Sequence, residues 1–145
     1  MVQIIAATRQ DSSELAYIEN SCFSSPWSEN SIEEALCDEK YVFLKLVENG
    51  KAVGYGGIMT VLDESDVVNI AVLPEFRGKG YGRMLLNALE NEANIKGVSL
   101  LHLEVRQGNR VAIGLYESFG FTVDGIRKNY YTKPLENAVL MTKKL

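Results

Sequence analysis

Two hydrophobic patterns alternate along the chain, one with a period of two residues and one with a period of three to four. The two-residue pattern predicts seven strands, at 2–8, 41–48, 52–63, 66–73, 98–106, 121–132 and 137–145. The helical pattern predicts four helices, at 11–23, 28–38, 81–95 and 109–119. This order of elements predicts an α/β (α+β) fold with a mixed, mostly antiparallel sheet.

Residues typical of helix ends and tight turns support these boundaries. Asp11, followed three residues later by Glu14, is typical of a capping box at the start of the first helix. Asn49-Gly50 favours a hairpin turn between the second and third strands. Asn109 is a typical N-cap for the last helix, and Gly97 is expected to end the third helix.

The composition indicates one domain spanning residues 1–145, with no metal, nucleic acid or membrane partner. A length of 145 residues suits a single core, and no apolar stretch approaches the length of a membrane span. The net charge of −4 is not the basic footprint of a nucleic-acid binder. Cys22, Cys37 and the single histidine, His102, lack metal-ligand spacing. Since no signal-peptide pattern is present, we expect a cytoplasmic protein with reduced thiols.

A turn rich in glycine and basic residues precedes the third helix. Gly78, Gly80 and Gly82 alternate with basic and aromatic residues between Arg77 and Arg83. Unpaired amides at a helix N-terminus attract anions, and glycine allows a phosphate to approach them closely. The Walker A pattern is absent, and the dinucleotide pattern GxGxxG fails because Arg83 occupies its last position. From spacing alone, a turn that uses glycine only for its geometry remains an alternative.

The same residues resemble a known family. Arg77-Gly78-Lys79-Gly80-Tyr81-Gly82 matches the pattern R/Q-x-x-G-x-G/A of the GNAT superfamily, the acyl-CoA-dependent N-acetyltransferases. Further motifs resemble its ribosomal-protein-alanine N-acetyltransferase (RimI) family, in chain order "PWS", "NIAV", "GRMLL", "LEVR", "LYESFGF" and "NYY". The resemblance covers nearly the whole chain and implies the GNAT fold, with about seven strands flanked by about four helices.

The resemblance implies that acetyl-CoA is the co-substrate. Its diphosphate would bind the turn, and its pantetheine arm would lie along the preceding strand. The implied cofactor-binding residues are Ile70, Ala71, Val72, Arg77, Gly78, Lys79, Gly80, Tyr81, Gly82, Arg83, Asn109 and Tyr116.

Glu104 is the candidate general base. Alternation along "LLHLEVR" puts Leu101, Leu103 and Val105 on one face of the strand. The other face carries Leu100, His102, Glu104 and Arg106. From alternation alone, an ordinary solvent-facing glutamate is the favoured interpretation. The resemblance instead implies that Glu104 accepts the proton of the attacking amine. His102 is interpreted as a polar strand residue without a catalytic part.

Tyr116 is the candidate general acid. Leu115 and Phe119 are spaced as core residues, which leaves Tyr116 on the flank of the helix as a half-buried packing residue. The resemblance implies that the Tyr116 phenol, with an ordinary pKa near 10, protonates the leaving thiolate. It also implies that Asn109 contacts the cofactor in addition to capping its helix.

Trp27, Tyr130 and Tyr131 are the candidate substrate-binding residues, by resemblance. The alternatives are that Trp27 is a core residue and that the tyrosines are ordinary strand residues. The implied acceptor is the N-terminal amine of a protein, specifically the N-terminal alanine of a small-subunit ribosomal protein. Two alternatives remain open: acetylation of a small amine or a lysine, and a catalytically silent acyl-CoA-binding module. We expect a monomer or a weak homodimer.

Overall fold

The computed structural model describes all residues, 1–145, and contains the seven strands and four helices in the predicted order. The strands are β1 (Val2–Ala6), β2 (Tyr41–Glu48), β3 (Lys51–Val61), β4 (Glu64–Val72), β5 (Leu100–Arg106), β6 (Thr122–Thr132) and β7 (Leu135–Lys144). The helices are α1 (Ser12–Cys22), α2 (Glu29–Leu36), α3 (Tyr81–Ile95) and α4 (Arg110–Ser118).

All seven strands form one sheet in the order β1-β2-β3-β4-β5-β7-β6. Every neighbouring pair is antiparallel except β4 and β5, which are parallel and are connected through α3. The predicted fold class, a mixed and mostly antiparallel sheet with helices, is therefore confirmed. The single parallel junction is the feature that positions the site.

The parallel strands pair only at their beginnings. Glu64 to Asp66 of β4 pair with Leu100 to His102 of β5, and no pairing follows beyond them. The register of β4 against β3 shifts between Val67 and Asn69, so that one extra residue lies in β4. Such a bulge bends a strand, and past it β4 and β5 separate. The second halves of these strands border an opening in the sheet.

Two apolar clusters cover the sheet on either side of this junction. The first joins Leu15 and Ile18 of α1 and Ile32 of α2 to β2 and β3, and these three side chains are fully buried. The second joins Leu86 and Leu89 of α3 to the apolar residues of β5 and β7. Because each helix is anchored in a cluster, both borders of the opening are held by a packed core.

The predicted capping box at α1 is wrong. Asp11 does precede α1, but its side chain does not cap the helix. A short 3₁₀ turn, Arg9–Asp11, directs the carboxylate backwards, where it accepts a hydrogen bond from the Thr8 amide at 2.7 Å. Lys45 Nζ of β2 lies 2.8 Å from the same carboxylate and 3.3 Å from Glu14. The two acidic residues therefore join α1 to the sheet.

The predicted buried face of α4 is also wrong. Tyr116 is the buried residue of this helix, with 8% of its surface exposed, whereas Leu115 and Phe119 are only partly buried. The chain folds back after α4, with the Phe121 amide donating to the Tyr116 carbonyl at 3.1 Å. This brings the Phe121 ring against the Tyr116 ring, at 5.8 Å between centroids. The return of the chain shifts the buried stripe by one residue.

The predicted turns and caps elsewhere are confirmed. Asn49 and Gly50 both have positive φ, 50° and 83°, as a type I′ hairpin turn requires. Asn109 caps α4 through its side-chain oxygen, which accepts from the Ala112 amide at 3.2 Å. Gly97, with φ of 77°, follows the last residues of α3.

Candidate functional site

The glycine turn leads directly into α3 and needs glycine for its backbone shape. Gly78 and Gly80 have φ of 83° and 82°, in the left-handed region that other residues rarely adopt. An ideal Cβ at either position would meet no atom within 4 Å. Gly80 is the N-cap of α3. The turn is therefore open on its outer side, and the conformation alone, not crowding, requires glycine at these two positions.

Main-chain amides at the start of α3 face this open side. The first bond along the helix runs from the Met84 amide to the Gly80 carbonyl, at 3.1 Å. The amides of residues 81 to 83 consequently have no acceptor within the helix. Since α3 is 15 residues long, its dipole adds partial positive charge at this end. The turn can bind an anionic group through the main chain, as phosphate sites at helix N-termini do.

The three basic residues of the turn each contact a different part of the protein. Arg77 donates from Nε to the Val72 carbonyl at 2.9 Å. Lys79 Nζ lies 3.3 Å from Glu48 of β2, which also accepts from the Tyr81 hydroxyl. These contacts fix the turn to β4 and β2.

Arg83 fixes the same turn to α4. It donates from Nη2 to Ser118 Oγ at 3.0 Å, and its guanidinium stacks over the Phe119 ring at 5.2 Å. Arg77, Lys79 and Arg83 all remain exposed, so their charges still face solvent beside the turn.

The second half of β4 presents main-chain groups to the opening. The Leu73 amide donates to the Val53 carbonyl at 2.9 Å, so by alternation the main chain of Ala71 also faces β3. The main-chain groups of Ile70 and Val72 therefore face the opening. The Val72 carbonyl there accepts from Arg77 and from Cys22 Sγ, at 3.3 Å.

Glu104 lies on the other side of the opening. As alternation predicted, its neighbours Leu103 and Val105 are buried while Glu104 is exposed. It lines a cavity of about 180 Å³. Five polar residues line this cavity: three carboxylates, Asp66, Glu104 and Asp124, together with His102 and Arg127. Burial is the main cause that raises the pKa of Asp66. His102 lowers this pKa in part, and Glu104 raises it further. The cavity thus favours a positively charged occupant.

Four of the predicted residues influence one another electrostatically. Burial raises the pKa of Tyr131 to about 12, and the Glu104 carboxylate adds to the rise. The same carboxylate is the main cause that raises the pKa of Tyr130. Burial, followed by Tyr131, raises the pKa of Tyr116 to about 12. The rings of Tyr130 and Tyr131 contact each other, with centroids 5.0 Å apart, and Glu104 and Tyr116, on two other elements, lie close enough for these pKa effects.

Trp27 lies in the loop between α1 and α2, which we call the α1–α2 loop (residues 23–28). Its ring packs edge-on against Tyr41 and Phe43, with centroids 6.4 Å apart in both cases. Pro26, Trp27 and Ser28 also line a cavity of about 510 Å³ along α2, together with Glu34 and Asp38. Trp27 is thus half-buried, with one side on the core and one side available.

Arg106 connects the α1–α2 loop to the turn between β6 and β7. It donates to the Lys133 and Pro134 carbonyls at 3.1 and 3.0 Å and pairs with Glu136 at 3.2 Å. Its guanidinium also stacks over the Tyr131 ring at 4.3 Å. Ser24 of the α1–α2 loop donates to the same Lys133 carbonyl. The loop and the hairpin therefore meet over the face that carries Glu104.

Sequence analysis placed Arg106 on the same face as Glu104 but gave it no role, because its contacts with Ser24 and with the β6–β7 turn are distant in sequence. The buried Glu19 of α1 was not singled out. Glu19 gave no signal, since a glutamate in an amphipathic helix is ordinarily exposed. His102, in turn, contacts Glu64 at 2.6 Å and Thr142 at 2.8 Å.

No cluster of three or more histidine, cysteine or acidic side chains has the arrangement of a metal site. None of the helices is long and apolar enough to cross a membrane.

Comparison with known proteins agrees with this arrangement. The acetyltransferase (GNAT) family matches residues 12–121. The [ribosomal protein bS18]-alanine N-acetyltransferase of Haemophilus influenzae is 43% identical over 134 residues, covering 90% of both chains. The enzyme of the same name from Escherichia coli is 42% identical over 127 residues, covering 86% of this chain and 85% of its own.

A solved structure supports the same relationship. The crystal structure of the ribosomal-protein-S18-alanine N-acetyltransferase from Escherichia coli superposes with a TM-score of 0.93 at 38% identity, covering 99% of this chain and 94% of its own. With this overlap in sequence and fold, the chain belongs to the acetyltransferase (GNAT) family, as a relative of the ribosomal-protein-alanine N-acetyltransferases.

Proposed function

We propose that this protein transfers the acetyl group of acetyl-CoA to the N-terminal α-amine of a protein, namely the N-terminal alanine of a small-subunit ribosomal protein in the cytoplasm. The observation that carries the proposal is the cluster of Glu104, Tyr116 and Tyr131, in which a carboxylate and two protonated phenols act on one another beside the opening between β4 and β5. The relatives that share this fold are named for acetylation of the alanine of protein bS18.

The residues of the turn fit acetyl-CoA. Gly78 and Gly80 leave open space where a side chain would lie, and the free amides at the start of α3 suit a diphosphate. Ile70 and Val72 would face the pantetheine arm, and Asn109 and Tyr116 would contact the cofactor from α4. Acetyl-CoA supplies the activated acetyl group as a thioester.

Glu104 acts as the base on the incoming amine. An N-terminal α-amine has an ordinary pKa near 7.7–8.0 and is partly protonated at neutral pH. Glu104 takes the proton from its nitrogen, directly or through water, which frees the lone pair. Asp66 and Asp124 line the same cavity as Glu104, so the positively charged terminus is attracted before it loses its proton.

Tyr116 acts as the acid. Its pKa of about 12 means that the phenol oxygen holds its proton throughout the neutral range. No hydrogen bond within the protein engages this hydroxyl, and it is not sealed from solvent. Tyr116 can therefore give its proton to the sulfur as the carbon–sulfur bond of the thioester breaks, without first breaking an internal contact. The second proton, which the nitrogen loses as the amide bond forms, restores the phenol of Tyr116.

The contact between the α1–α2 loop and the β6–β7 turn favours a protein terminus as the acceptor. Ser24 and Arg106 close this contact over the Glu104 face. An extended N-terminus can pass beside Trp27, Tyr130 and Tyr131, whereas a small amine would need none of these side chains. We propose that Trp27 and the two tyrosines hold the first residues of the acceptor, and that the protein works as a monomer or weak homodimer.

The experiment compares two peptides that differ in which amine is free. One begins Ala-Arg and has its lysines blocked, and the other has the same sequence with a blocked N-terminus and one free lysine. Release of CoA thiol and intact mass give the rate and the position of acetylation. We expect transfer to the free N-terminus. Equal rates on both peptides would rule out the N-terminal assignment, and no transfer to either would rule out both kinds of peptide amine as the acceptor.

A further inference from the structure

A carboxylate is buried beneath the α1–α2 loop. Glu19, in the last turn of α1, has 1% of its surface exposed. None of the ion pairs of the protein includes it. An isolated buried carboxylate is costly, and apolar residues of similar size are often as stable or more stable in such a position. Glu19 therefore calls for a role beyond packing.

Three donors from three different elements converge on Glu19. Oε2 accepts from the Trp27 main-chain amide at 2.9 Å. Oε1 accepts from Asn69 Nδ2 at 2.8 Å and from the Tyr55 hydroxyl. Tyr55 is itself 1% exposed, and Asn69 Nδ2 lies 3.2 Å from its hydroxyl. The carboxylate thus connects α1 with the α1–α2 loop, β3 and β4.

Two of these partners, Trp27 and Asn69, belong to the segments that would bind the two different substrates. Trp27 belongs to the loop that would hold the acceptor. Asn69 directly follows the bulge at which β4 leaves β5, at the start of the segment that would face the thioester arm. A single side chain with two oxygen acceptors therefore sets the position of the acceptor loop relative to the cofactor strand.

We propose that Glu19 is a positioning residue for acetyl transfer, which holds the α1–α2 loop in register with β4 through the Trp27 amide and Asn69. The proposal rests on the proposed function, in which these two segments bind the two substrates. It does not make Glu19 a catalytic residue, since both of its oxygens are occupied by donors of the protein.

Two substitutions separate positioning from packing. Glu19→Gln keeps an oxygen for the Trp27 amide, because its NH₂ group can donate to Tyr55 and to Asn69 once the Asn69 amide is flipped. Glu19→Met has a similar length but no acceptor. Glu90→Met is the matched control, because Glu90 is a helical glutamate, 9% exposed, whose carboxylate contacts Lys143 rather than the loop.

The readouts are the KM values for both substrates and the fluorescence of Trp27, the only tryptophan in the chain. We expect Glu19→Met to raise the KM for the Ala-Arg peptide by about tenfold or more, with the Kd for acetyl-CoA changed by less than about threefold, because the diphosphate site lies elsewhere. Iodide quenching of Trp27 should increase in the same variant. Glu19→Gln and Glu90→Met should retain the wild-type peptide KM and quenching.

Amide exchange of the wild-type protein tests the tether even if Glu19→Met fails to fold. The Trp27 amide should exchange at least about tenfold more slowly than exposed amides of the same loop. Unprotected exchange, or a folded Glu19→Met variant with wild-type quenching and peptide KM, would overturn the proposal. If wild-type protein acetylates no peptide, the proposed function fails, whereas quenching and exchange still show whether Glu19 holds the loop.

Discussion

One added methyl group at position 82 would separate the stability of the turn from its ability to bind a diphosphate. Gly82 lies in the first turn of α3, and its φ is not positive. An added Cβ would meet only Leu115 Cδ2, at 3.7 Å, which is an ordinary contact. Nothing in the free protein therefore requires glycine here. The requirement, if the proposal holds, comes from the close approach of the ligand.

The two effects of Gly82→Ala have opposite signs. Glycine within a helix is less stable than alanine by roughly 0.5–1 kcal/mol, so the free protein should gain about that much. For a domain of this size the melting temperature should rise by about 1–4 °C. Loss of one charge-assisted hydrogen bond from the amide would cost about 1.5–3 kcal/mol of binding free energy. The Kd for acetyl-CoA should then rise roughly 10- to 100-fold.

Thermal melting and calorimetry with acetyl-CoA measure both effects on the same protein. Gly80→Ala provides the contrast, because φ of 82° costs alanine about 1–2 kcal/mol. Gly97→Ala is its matched control, with φ of 77° and no atom near its Cβ, at the other end of α3. Both should melt lower than wild type, but only Gly80→Ala should also bind acetyl-CoA more weakly.

A particular result would refute the reasoning. If Gly82→Ala melts higher and binds acetyl-CoA with the wild-type Kd, the diphosphate does not approach the main chain at position 82. If Gly97→Ala weakens binding as much as Gly80→Ala does, the loss reflects a general loosening of α3 and not the turn.

Three further substitutions test the remaining assignments. Glu104→Gln should lower kcat/KM for the Ala-Arg peptide about 100-fold at pH 7. The variant should recover part of this loss near pH 9, where the amine is already neutral. If the variant keeps the wild-type rate at every pH, Glu104 is not the base. Tyr116→Phe should lower kcat about 10- to 100-fold with little change in the Kd for acetyl-CoA. The shape of the pH profile should stay the same, because the pKa of Tyr116, about 12, lies above the assay range. An unchanged kcat would exclude Tyr116 as the general acid. Asp11→Asn should destabilise the protein by about 1–2 kcal/mol at pH 7. Burial raises the pKa of the Asp11 carboxyl, but Lys45 and Thr8 outweigh burial and lower it. The ionised carboxyl therefore stabilises the fold above the unfolded pKa of about 3.9, and this stabilisation is lost as the pH falls through the lower folded pKa. Denaturant melts of wild type and variant should converge in acid, and a constant difference between them at all pH values would contradict the assignment.

The fold was predictable because its elements have strong local patterns. The alternation along β5, from Leu101 to Val105, survives in the structure because one face of that strand packs on α3. The Asn49-Gly50 turn was predictable for a chemical reason, since only such residues accept positive φ at both positions. Errors arose where tertiary contacts override local pattern. Asp11 is drawn away from α1 by Lys45, which lies 34 residues along the chain.

The candidate site was only partly predictable for a similar reason. The glycine turn is contiguous, so its residues and their spacing could be recognised from the sequence as a candidate anion site. Glu104 and Tyr116 became candidates only through the family resemblance. Alternation alone favours an ordinary exposed glutamate at position 104, and the periodicity of α4 put Tyr116 on the flank of the helix and not in the buried stripe. Arg106 and Glu19 act through partners far away in sequence. Ser24 lies 82 residues from Arg106, and Asn69 lies 50 residues from Glu19. No local pattern can encode a contact of that kind.

The position of the site follows from the unequal pairing of β5. Along its whole length β5 pairs with β7, from Leu100 to Arg106, but with β4 it pairs only as far as His102. Glu104 therefore stands on a strand that is held rigidly on one side and is free on the other. The glycine turn lies between β4, which has left β5, and the start of α3. In α/β proteins, ligands bind beyond the carboxyl ends of parallel strands, in the crevice where neighbouring strands diverge. The same divergence thus creates both the opening in which we propose that the cofactor lies and the free edge of β5 that carries Glu104, the proposed base.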